Sequence, residues 1–148
     1  MSTVNSATSR VASNEGKPVL EARPTLEGET VSRVALTSEA LALLQELVAQ
    51  HGQLMFHQSG GCCDGSSPMC FAAGTFLTSD ADVLLGEFTL PGVRDDQSHV
   101  EFWMSAEQFR YWAHTHLTID VVTGRGAGFS LESPLGKRFL IRSRLMDS

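Results

Sequence analysis

The sequence predicts an α+β fold, mostly antiparallel or mixed β-strands with two short helices on a single core. Three observations carry this. A length of 148 residues gives room for one well-filled hydrophobic core but not two. Ala40, Leu43, Leu44, Leu47 and Val48 recur at the spacing of one helical face. Around that stripe lie several short apolar or alternating runs bounded by Gly, Pro, Ser and Asp, the pattern of strands and turns.

Taken in order, residues 1–30 are rich in Ser, Thr, Glu, Gly and Pro without sustained apolar periodicity. Such a stretch buries too little surface to offset the entropy of ordering, so we expect a disordered tail and a single domain over 31–148. Val31 to Leu36 suits a short strand. Thr37 or Ser38 caps the helix, Glu39 complements its first turn, and Gly52 ends it. Gln53 to Gln58 reads as a buried strand with Leu54 and Phe56 on one face and Met55 and His57 on the other. Phe71 to Phe76 and Val83 to Leu90 follow as strands around a turn at Ser79-Asp80-Ala81-Asp82. After His99 to Met104, another strand, Ser105-Ala106-Glu107-Gln108 is a capping box that opens a helix and directs Phe109, Trp112 and Ala113 inward. Leu117 to Val122, Gly128 to Leu131 and Phe139 to Leu145 complete the strands.

Composition excludes several classes. A formal net charge of -6 is wrong for phosphate-rich nucleic acid, which needs clustered Lys and Arg. No apolar run reaches the roughly 18 to 20 residues of a membrane span, and Met1 to Gly16 lacks the apolar centre of a signal peptide. We therefore expect a cytoplasmic protein with no membrane partner. The odd number of cysteines, 3, crowded into one loop, does not resemble a secreted disulfide framework.

That loop, His57 to Cys70, is the one dense concentration of reactive side chains. Thiolate sulfur and imidazole nitrogen are the usual ligands of zinc, iron and copper, so Cys62, Cys63 and Cys70, with His57 as a fourth, are the candidate ligands of a transition metal. Neighbouring glycines permit the tight backbone such convergence needs. No Lys or Arg occurs between Val34 and Val93, whereas Glu39, Glu46, Asp64, Asp80, Asp82 and Glu87 do, which favours a cation there. Two other readings stay open. The cysteines could form a redox pair, with Cys62 or Cys63 bonded to Cys70; adjacent Cα atoms lie about 3.8 Å apart, below the roughly 4.4 to 6.8 Å of a relaxed disulfide, so Cys62 and Cys63 pair poorly with each other. They could also be small buried residues. His51, His114 and His116 read as helix-end residues, although His114 and His116 would share a face if extended. Arg125, Lys137, Arg138, Arg142 and Arg144 are bunched in the last quarter, a polarity that suits self-association as a homodimer or docking to a partner.

Leu36-Thr37-Ser38-Glu39-Ala40, Gly60-Gly61-Cys62, Met104-Ser105-Ala106 and the run Gly126 to Pro134 are together similar to the HesB-like fold of A-type iron-sulfur carriers, over residues 34–145. The carriers have a further Cys-Gly-Cys near the C-terminus, where Gly136 to Arg144 contains no cysteine, so cluster delivery does not carry over. The run Phe56 to Cys70 resembles more closely a bacterial family, a domain of unknown function, often encoded beside aldehyde dehydrogenases. This resemblance implies an accessory role rather than a stand-alone catalyst, with an aldehyde dehydrogenase or similar oxidoreductase as partner. From these readings we expect a small metal-binding accessory protein; the rivals are a metal-free regulatory or chaperone-like interaction module and a thiol-redox protein.

Overall fold

One extended stretch of chain, Pro18 to Pro24, ties the molecule together. In the computed structural model, which describes residues 16–60, 65–124 and 129–146, β1 (Pro18–Glu21) lies on the edge of a four-stranded sheet, and β2 (Arg23–Pro24) on the edge of a five-stranded one. Ala22 between them is buried and donates its N–H to the Val34 carbonyl at 2.9 Å. The expected disorder of residues 1–30 is thus corrected for this stretch; residues 1–15 lie outside the described residues. The strands are too short to show a period. Their stabilisation comes from backbone pairing with distant strands and from the packing of Leu20 and Ala22 on the core. Proline fits here because Pro18 opens an edge strand and Pro24 sits on another, positions where a missing N–H costs little.

β3 (Val34–Thr37) is buried throughout and pairs antiparallel with β1 and parallel with β8 (Thr115–Thr123). β9 (Lys137–Leu145) pairs antiparallel with β8 and completes the sheet in the order β1-β3-β8-β9. The second sheet runs β2-β6-β7-β4-β5, with β4 (Leu54–Gln58), β5 (Met69–Ala72), β6 (Asp82–Thr89) and β7 (His99–Ser105). Its β4–β7 pairing is parallel and the others antiparallel. Helix α1 (Ser38–His51) has the expected limits: the Thr37 hydroxyl accepts from Ala40 N–H at 3.1 Å, and Gly52 with φ 78° closes the end. Thr37 also donates to the buried Asp120 carboxylate at 3.0 Å, so the cap is bonded to the sheet. The helix buries all five predicted stripe residues against β1, β3, β8 and β4; at roughly 1.5 to 3 kcal/mol for each fully buried leucine this outweighs its propensity. Helix α2 (Ala106–Trp112) is capped by Ser105, whose hydroxyl accepts from Gln108 N–H at 3.1 Å; it buries Trp112 and Gln108.

The sheets face each other over one core that includes Phe56, Phe88, Phe102 and Phe139, and both seams are closed by hydrogen bonds. At the first, Gly86 lies in a bulge of β6 against Ala22 and Val34. At the second, Gly65 N–H and the Ser66 carbonyl bond the two backbone groups of Ile141 on β9, both at 2.8 Å. The adjoining edge of β5 is filled by Cys70 N–H to Ser130 Oγ at 2.8 Å and Leu131 N–H to the Cys70 carbonyl at 3.0 Å. The α+β class, the two helices and the single core agree with the sequence reading. Two strands are corrected. The chain turns at Ala73 to Thr75 instead of extending to Phe76, and 129–131 form a turn sealing β5, with Gly128 outside the described residues.

The first seam is testable through Gly86. A Cβ there would lie 2.8 Å from Ala22 Cβ and 3.1 Å from Val34 Cγ1. Gly86→Ala should cost about 1 to 3 kcal/mol in urea unfolding, and Ala22→Gly, by removing the nearest atom, should recover part of the loss in the double variant.

Candidate functional site

β4 delivers two buried polar side chains to the mouth of the cysteine loop, one on each face. Cross-strand partners share a face, so the register Phe56↔Cys70 and His57↔Met69 places Cys70 with Phe56 in the core and His57 on the outer face. The structure therefore sets His57 and Cys70 on opposite sides of one sheet and does not bring them together. Cys62 and Cys63, with Gly61 and Asp64, lie outside the described residues. Among the described residues no three His, Cys, Asp or Glu side chains converge as a metal-ligand set.

His57 is 4% exposed yet satisfied at both nitrogens. Nε2 lies 2.8 Å from Asp82 Oδ1 and Nδ1 3.0 Å from Ser59 Oγ, while Phe76 covers the ring at 4.3 Å between centroids and stacks in turn on Phe71 at 5.1 Å. Asp82 opens β6, and its other oxygen accepts from Ser79 N–H at 2.9 Å, closing the predicted turn. The hydrogen bond from His57, helped by Ser79, holds the Asp82 carboxyl below its usual range despite burial. An ionised Asp82 can only accept, so Nε2 carries a proton and donates it, while Nδ1 faces the exposed hydroxyl of Ser59. Second-sphere carboxylates fix metal-binding histidines in this way, with one nitrogen anchored and the other presented.

The core side has other chemistry. Cys70 is fully buried, and burial together with nearby Glu132 pushes its thiol well above the usual range, so it is a neutral thiol and a poor nucleophile. Glu132 is also fully buried; it accepts a short hydrogen bond from Ser130 and a long one, 3.5 Å, from Phe139 N–H, and burial raises its pKa. Gln58 donates to the Gly60 carbonyl, and its buried Oε1 has no partner among the described residues. The sequence reading did not pair Asp82 with His57 or assign Glu132 a role: the first stood in a turn and counted only among the acidic residues of its segment, and the second lies one residue past the run read as strand.

The remaining candidates disperse. His116 is buried on β8 with Nε2 2.8 Å from Glu21, whereas His114 is exposed, so neither joins the loop. Two arginines of the basic C-terminal quarter serve local contacts. Arg138 bonds the Gly65 carbonyl and Ser67 Oγ, and Arg142 pairs with Asp120 at 2.8 Å.

A raised carboxyl pKa means that the protonated form is the better one in the fold. Stability from Glu132 is therefore complete below the ordinary glutamate range, about pH 4, and is lost as pH rises through the raised value. Glu132→Gln should keep the Ser130 contact, flatten this pH dependence and be neutral or stabilising at pH 8. Glu132→Ala should cost about 1 to 3 kcal/mol by stranding the Ser130 hydroxyl; thermal melts of the two variants from pH 4 to 8 test both expectations.

No curated protein and no solved structure is significantly similar to the chain. A family model described as a domain of unknown function, DUF779, matches residues 43–145, from within α1 to the end of β9. The two closed seams, the β4–β5 hairpin and the His57–Asp82 pair all have residues within that span, and the chain belongs to the DUF779 family.

Proposed function

We propose that the protein is a small metal-binding accessory protein whose ion is held at the loop after β4 by the thiolates of Cys62 and Cys63 and by His57 Nδ1. The observation that carries this reading is the anchoring of His57 Nε2 by Asp82 at 2.8 Å, which leaves Nδ1 directed at Ser59, two residues along the chain toward the cysteines. Ser59 is exposed, so its hydroxyl can turn away and release Nδ1. The donor set of soft thiolate and imidazole suits zinc, iron(II) or copper(I), and such an ion would supply Lewis-acid or electron-transfer chemistry. The residues of this chain orient the imidazole, exclude water beneath Phe76 and keep the proton on Nε2. Cys70 fits the ligand set poorly, being a neutral core thiol on the other face.

The partner in this reading is an aldehyde dehydrogenase or a similar oxidoreductase; its support is the likeness of Phe56 to Cys70 to the family encoded beside such enzymes. The HesB-like relationship rests on the Gly60-Gly61-Cys62 turn and the other quoted motifs.

Protein purified without oxygen or chelators should carry near-stoichiometric zinc, iron or copper by elemental analysis. Cys62→Ser, Cys63→Ser and His57→Ala should each lose it, and Asp82→Asn should weaken affinity by roughly 10 to 100-fold. Cys70→Ser should retain the metal while costing about 1 to 3 kcal/mol of stability, since it buries a hydroxyl among apolar side chains. Metal-free wild type that still binds its partner would replace this reading with the interaction module.

A further inference from the structure

A second site lies on the outer face of the five-stranded sheet. Met55, Phe76, Leu77, Glu101 and Trp103 line an open cavity of about 280 Å³ there, with Gln53 at its rim. Trp103 and Glu101 both project outward from β7, on the face opposite Phe102 and Met104, and the turn after β5 brings Phe76 and Leu77 over the sheet. The walls set the Phe76 and Trp103 rings and the Met55 and Leu77 side chains beside the polar Gln53, Thr78 and Glu101, and Leu77 is 84% exposed.

The charge at this cavity is unbalanced. Glu101 stands directly opposite Glu87 across the β6–β7 pairing, an arrangement in which like charges repel. Glu87 has compensation from Arg23 at 2.8 Å, with the His99 ring 3.7 Å away. Glu101 has no cationic partner among the described residues; it accepts only the indole N–H of Trp103, at 3.0 Å, a contact that fixes both side chains. The cavity lining contains no Lys or Arg.

We propose that this cavity is a binding site for a small organic monocation, an aryl- or alkylammonium of roughly ten heavy atoms. Its apolar body lies between Phe76 and Trp103, and its ammonium group meets Glu101. A cation near the indole face and a carboxylate gains from both the ring quadrupole and the ion pair. A neutral molecule of the same shape gains from neither. The site shares Phe76 with the His57 cluster but needs no metal.

The test uses the 148-residue chain and two probes of equal size, 2-phenylethylammonium and 2-phenylethanol. The chain has two tryptophans, and Trp112 is buried in the core, so the Trp103 indole N–H resonance, assigned through Trp103→Phe, reports binding. The ammonium probe should shift it saturably with a dissociation constant on the order of a millimolar, at least about fivefold tighter than the alcohol. Glu101→Gln, nearly isosteric, should bring the two probes to similar affinity, and high salt should weaken only the ammonium. A Cys62→Ser, Cys63→Ser background should leave these values unchanged, which separates this site from the metal reading. Equal binding of both probes to the wild type, no saturable shift, or an undiminished preference in Glu101→Gln would each overturn the proposal.

Discussion

Burial of both faces of β4 is the constraint on which the rest of the structure depends. Leu54 to Gln58 are all buried, and β4 lies between β5 and β7. Its inward residues Leu54 and Phe56 join the core, where Phe56 meets Phe139 edge-on at 5.1 Å. Its outward residues need a second cover. The turn after β5 supplies it by laying Phe76 over His57. A polar ring so enclosed must find partners or bear the cost of an unmet hydrogen bond. Asp82 comes from two strands away, and Ser59 from the next turn of chain. The geometry of the candidate centre is thus a consequence of packing before it is a matter of chemistry.

Closure of the second seam has a similar double effect. Gly65 and Ser66 bond to Ile141 on β9, and Ser130 and Leu131 to Cys70 on β5, so two stretches following glycine-rich runs are pinned at the place where the sheets meet. Pairing both edges removes open hydrogen-bonding groups that would otherwise invite aggregation. It also brings Glu132 inside. Its position is stabilised by Ser130 and opposed by burial, and it adds to the burial that keeps Cys70 protonated. One sheet therefore carries a neutral thiol on its core side and an anchored imidazole on the other, and the two cannot serve as ligands to a single ion without dismantling β5.

Most of the regular elements were legible because their signals are local. The α1 stripe, the caps at Thr37, Ser105 and Gly52, and the alternation of β4 are set by neighbours within a few residues. Residues 18–24 were not legible, because their order comes from strands remote in sequence, and a two-residue strand has no period. The 129–131 turn was missed for the same reason: Phe129 and Leu131 look like strand residues, yet the backbone of this run bonds across to Cys70. At the candidate site, His57 was visible from its cysteine neighbours. Its pairing with Asp82 was not, since 25 residues separate them and nothing in Ser-Asp-Ala-Asp distinguishes this aspartate from a turn former that adds to the acidity of its segment.

The absence of Lys and Arg between Val34 and Val93 gains meaning once the strands are placed. β4, β5 and β6 fall wholly within that stretch, so the positive charge available to the five-stranded sheet comes from other parts of the chain, such as Arg23 on β2. Arg23 satisfies Glu87 and reaches no farther. Asp82 is satisfied instead by an imidazole N–H, and Glu101 by an indole N–H. Each of these donors makes one hydrogen bond to its carboxylate. The outer face consequently keeps an anionic character beside its aromatic rings. Such a surface disfavours phosphate and carboxylate ligands by repulsion, and cations of any size meet both the field and the aromatic rings there.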